Sequence, residues 1–142
     1  MNQNAELLNF IYQNSQMGIE ALQKLVSITK DSEFNKCLQS QLNEYKLINS
    51  NAVKKLNENG YDEKGIGTLT KIQSYIMLNI QTMMDKSPSH IAEMLITGST
   101  MGTIDAIKNI KKYKDAEPSI LELMNDLKKF EENNIEQLKA FL

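Results

Sequence analysis

The stretch SPSHIAEMLITGSTMGTIDAIKNIKKYKDAEPSILEL, Ser87 to Leu123, holds a helix start, a long apolar stripe and a second helix start. Ser87 can accept hydrogen bonds from the N–H groups of a first turn. Pro88 suits the first helical position, where no N–H is needed. From there, apolar spacing of three and four residues predicts a helix over 88–114. It ends in Lys108, Lys111, Lys112 and Lys114, where positive charge complements the helix dipole better than it argues for nucleic-acid binding. Asp115 and Pro118 then open a further helix over 118–141. So short a link makes the two an antiparallel hairpin.

The same periodicity extends back to the N-terminus. It predicts helices over 2–28, 32–59 and 68–86, with Leu8, Ile11, Leu22 and Leu25 on the first stripe and Phe34, Leu38, Tyr45 and Leu56 on the second. Asp31 or Ser32 caps the second helix. Gly60 supplies a left-handed ending, with Tyr61 folding back on Leu56. The run GYDEKGIG, Gly60 to Gly67, reads as a turn; its Gly-Ile-Gly is too short for a phosphate cradle. Four of the helices span roughly 36–42 Å and the third is shorter. The expected class is all-α: one domain over 1–142, a four-helix bundle whose long crossover contains the shorter helix. An up-down bundle with an extra helix is the alternative.

Composition narrows the chemistry. The 142 residues are 41% hydrophobic and 24% charged, with a net charge of -2, so no strong field draws in nucleic acid or an anionic membrane. All 16 basic residues are lysine, which disfavours base-edge readout by guanidinium forks. A lone cysteine, Cys37, fits a reducing compartment and reads as a small boundary hydrophobe. With no basic region before an apolar run at the N-terminus, and no membrane-length apolar segment, the expected location is cytoplasmic.

Projected at helical spacing, several polar residues fall on the apolar stripes: Asn14 and Ser15 beside Gly18, Gln41 and Asn49, Asp105 and Asn109 beside Gly98 and Gly102, and Glu131 with Asn134. Glu20 points outward and Glu44 sits at a stripe's edge. Two carboxylates on buried stripes, Asp105 and Glu131, each need a partner, a proton or a metal. Gly98, Gly102 and Ala106 form a small-residue row, and counting through the turn near Ala116 sets Glu131 and Asn134 opposite Gly102 and Gly98. Three readings follow: a structural polar layer, a metal site, or a pocket for a small ligand or a partner. His90 lies about 22 Å along the helix from Asp105, so the two cannot share an ion. No nucleophile–base arrangement stands out around Cys37 or His90.

The quoted stretch, together with KKFEENNIEQLKAFL, Lys128 to Leu142, resembles the ferritin-like superfamily and, more closely, a family of small bacterial helical bundles without an assigned activity. The superfamily implies a di-iron centre with one carboxylate from each of two helices and Glu-x-x-His from each of the others. On that resemblance Asp105 stands for a lone carboxylate, and Glu131 for a motif glutamate with Asn134 in the histidine's place. Glu44 is followed at the same spacing by Leu47, and the first helix offers Ser15 and Gly18. Both histidines are missing. The expected role is therefore a non-catalytic structural or protein-interaction bundle without a cofactor. Its expected partner is a second copy or another protein, met through a methionine-containing face drawn from Met77, Met83, Met84, Met94 and Met101. The alternative is a divalent-metal protein using Asp105, Glu131, Asn134 and Glu44.

Overall fold

The computed structural model describes residues 2–61 and 70–142. Within them the chain forms five helices and no strand: α1 (Gln3–Ile28), α2 (Ser32–Glu58), α3 (Thr70–Gln81), α4 (Pro88–Lys112) and α5 (Pro118–Lys139). The turn expected over Gly60–Gly67 falls largely outside the described residues, as does the expected start of α3 at Thr68.

Local chemistry accounts for most boundaries. Asn2 Oδ1 accepts from the N–H of Asn4 and Ala5 at the start of α1. Asp31 Oδ1 accepts from Phe34 N–H at 2.8 Å to open α2. Because Asp31 is exposed, Asp31→Ala should remove the cap with little repacking and cost about 1 kcal/mol, read by urea unfolding. Gly60, at φ 77, closes α2 in a Schellman ending: Tyr61 N–H donates to Leu56 O at 2.9 Å and Gly60 N–H to Asn57 O at 3.1 Å.

The third helix stops at Gln81, five residues short of the expected Lys86. Asp85 Oδ1 takes the N–H of Ser87 at 2.9 Å, a local bond that competes with helix continuation. Met84 is 95% exposed, and Met83 already packs against the core outside the helix, so a further turn would gain little burial. Ser87 then caps α4 through His90 N–H, with Pro88 in the first turn. At α5 the cap position is Glu117 rather than Asp115, and its side chain makes no capping bond. The main-chain N–H groups of Asp115 and Glu117 instead donate to Gln3 Oε1 and Asn4 Oδ1, tying the α4–α5 link to the start of α1.

The largest interfaces join α1 to α2 and α4 to α5, so each pair folds back on itself as its short link requires. α1 touches all four other helices, and α3 rests on α1 and α4. One core includes buried side chains from all five, among them Leu8, Leu25, Phe34, Leu56, Ile76, Ile91, Ile120 and Met124. Because α1 is covered on several sides, it buries Asn9 and Gln13 besides Asn14 and Ser15. Among the described residues no helix is long and apolar enough to cross a membrane.

Candidate functional site, a carboxyl group inside the bundle

Glu131 lies on the buried face of α5 with Ile120, Met124, Leu127, Asn134 and Leu138, the spacing of three and four that the sequence shows. It is 2% exposed. The Tyr45 hydroxyl donates to its Oε1 at 2.6 Å, a short bond of the kind a carboxylate accepts. The Ser99 side chain of α4 borders the same interior space and also favours the charged form of the carboxyl group. Burial outweighs both and raises the Glu131 pKa from 4.5 to about 7. The Tyr45 phenol is pushed well above its usual value, first by burial and then by the Glu131 charge. Its ring packs edge-on against Phe130 with centroids 4.8 Å apart.

A cavity of about 50 Å³ adjoins this pair. Every helix contributes to it: Asn14 and Met17 from α1, Tyr45 from α2, Ile76 from α3, Ser99 from α4 and Glu131 from α5. Asn14 Oδ1 is buried without a hydrogen-bond donor. Asn134 presents its amide to the Tyr45 hydroxyl, yet its buried Nδ2 completes no well-formed hydrogen bond.

The expected metal ligands other than Asp105 are divided between two spaces. Asp105 is half-buried, not buried, so one of the two expected interior carboxylates is at the margin of the stripe. The second half of α4 buries a narrow line, Gly102 and Ala106, and Asp105 falls beside it. Glu44 is exposed and shares a surface cleft between α2 and α5 with Asn134, Ser40 and Lys129. Glu131 faces the interior cavity instead, and Asp105 borders neither space. Among the described residues no group of three or more His, Cys, Asp and Glu is placed to hold a metal.

The glycine row also faces other partners than expected. A Cβ on Gly98 would lie 2.6 Å from Ile76 Cδ1 of α3, and one on Gly102 would lie 3.1 Å from Asn14 Nδ2 of α1. Gly98 does border the space in front of Glu131, as the missing side chain suggested. Ser15 and Asn49 bond to each other at 3.1 Å, and Gln41 donates to Gln137 Oε1 at 3.3 Å. Asn109 bonds back to Asp105 O within its own helix. Cys37 is half-buried, and burial raises its thiol pKa, which favours the neutral thiol. Met94 is a core residue whereas Met84 is fully outside, so the methionines form no single face.

Tyr45 and Ser99 are the site residues that periodicity does not single out. A tyrosine in the middle of an apolar stripe carries the one available signal, since its buried hydroxyl requires a partner. Comparison of the chain with protein-family models, with curated proteins and with solved structures gives no match.

Proposed function

We propose that this chain is a non-catalytic bundle of ferritin-like layout with a structural or protein-interaction role, its buried polar cluster a degenerate counterpart of a di-iron centre. The two helical hairpins, with α3 in the long connection between them, support the layout. The observation that carries the role is the surroundings of Glu131: a tyrosine hydroxyl meets the carboxyl group, with a serine side chain beside it, where a di-iron site would set further carboxylates and histidines. The described residues around the cavity do not fit two irons, because Glu131 is the one carboxylate among them and no histidine is among them. Leu78, 60% exposed on α3, and Met84 just beyond it provide apolar surface for contact with a second copy or another protein.

The test joins metal analysis of the purified protein to thermal unfolding with Mn²⁺, Fe²⁺, Zn²⁺ and Ca²⁺ in turn. The expected result is no stoichiometric metal and no rise in Tm beyond about 1 °C for any ion. Stoichiometric metal that Glu131→Gln abolishes, or turnover of Fe²⁺ with oxygen, would replace this reading with the metal-binding one.

A further inference from the structure

We propose that the cavity in front of Glu131 is a binding site for a small organic ammonium ion, with its charge on the carboxylate and its carbon atoms against Met17, Leu22, Ile76 and Leu95. Three independent features point there. The first is the cavity itself, about 50 Å³ and apolar over most of its lining. That is room for a few water-sized groups and far below the roughly 300–1,000 Å³ of pockets for drug-sized ligands. The second is an acid with no cation: none of the ion pairs among the described residues includes Glu131. The third is Asn14, 5% exposed, which lines the same cavity and has an Oδ1 with no donor.

Both groups are acceptors, so the complementary ligand is a donor. A group carrying several N–H bonds can serve Glu131 and Asn14 Oδ1 together, which a lone hydroxyl cannot. A positive charge favours it further, because Glu131 is 2% exposed and attraction to a carboxylate strengthens as its access to water falls. A bare or hydrated metal ion would use the same oxygens but leave the apolar walls without a role. The ligand is therefore an ammonium group on about two or three carbons. The other groups around the cavity bring no competing charge: α1 adds Asn14, α2 adds Gln41 and Tyr45, α3 adds Ile72 and Ile76, and α4 adds Ser99. Tyr45 is the only other titratable side chain in the lining, and its phenol stays neutral at ordinary pH.

The affinity should rise with pH as Glu131 loses its proton, since the ammonium ion pairs with the charged form. The experiment is a titration of the full chain with ethylamine at pH 8 and constant ionic strength, with ethanol as the neutral isostere. Glu131 is followed by its carboxyl ¹³C resonance. Saturable ethylammonium binding with a Kd of about 1–10 mM is expected for so small a ligand. Ethanol should bind at least about tenfold more weakly, and saturating amine should lower the Glu131 titration midpoint by about one pH unit. Glu131→Gln, which keeps shape and an acceptor, should remove the preference for the amine. Absence of saturation to about 50 mM, equal binding of amine and alcohol, or an unmoved Glu131 titration would each overturn the proposal. None of those outcomes touches the non-catalytic reading, which the metal and oxidation assays decide separately.

Discussion

Glu131→Gln should raise the Tm of this protein by roughly 10 °C at pH 8 and leave it nearly unchanged at pH 4. The Glu131 pKa is raised by burial from 4.5 to about 7. Below pH 4.5 the group is protonated whether the chain is folded or not, so the interior holds no charge there. Between 4.5 and 7 the unfolded chain releases the proton while the folded one retains it, and stability falls as pH rises. Above pH 7 the loss is complete, at about 3 kcal/mol. Glutamine cannot ionise and still offers an oxygen to the Tyr45 hydroxyl, so the variant escapes the loss. The measurement is thermal unfolding of both proteins from pH 4 to pH 9, reading the difference in Tm, which cancels the titration of the surface carboxylates. A difference flat with pH would show that Glu131 is ionised and satisfied throughout. A variant less stable than wild type at pH 8 would point instead to a bound cation holding the carboxylate in its charged form.

The balance at Glu131 also marks how far the sequence alone could be read. The helices follow from local signals. Ser87–Pro88, Asp31 and Gly60 act on neighbours within a turn, and the stripe of α5 already places Glu131 and Asn134 inward. The expected run of α3 to Lys86 stops instead at Gln81, because the bond that Ser87 N–H donates to Asp85 competes with the helix there. The site depends on more than the face a residue occupies. Tyr45 and Glu131 are 86 residues apart, and only the height and rotation of α2 against α5 bring them to 2.6 Å. Rotation of α4 likewise determines that Gly102 meets Asn14 and that Asp105 lies at the stripe's margin. Periodicity fixes a face to within a quarter turn or so, and Asp105 falls inside that uncertainty.

Gly18→Ala should destabilise the protein by about 2 kcal/mol even though it replaces a poor helix former in the middle of α1. A Cβ on Gly18 would lie 2.7 Å from three atoms of the Tyr45 ring, Cδ1, Cδ2 and Cε1. The methyl group would therefore press on the ring rather than on a flexible chain end. The ring cannot easily retreat, because Phe130 packs edge-on against it and its hydroxyl is held by Glu131. Overpacking of this kind costs up to about 3 kcal/mol, and the better helix propensity of alanine returns about 1. Gly98→Ala provides the contrast. Its Cβ would meet Ile76 Cδ1 at 2.6 Å, the end of a flexible chain that can rotate away, so the change should be near neutral, within about 0.5 kcal/mol. Urea unfolding of the two variants at pH 5, where Glu131 is mostly protonated, separates packing from charge. A Gly18→Ala protein as stable as wild type would mean that the Tyr45 ring has room to move. The short bond to Glu131 would then not be held in place; because that bond favours the charged form, its loss would push the Glu131 pKa up further and enlarge the pH dependence that burial produces.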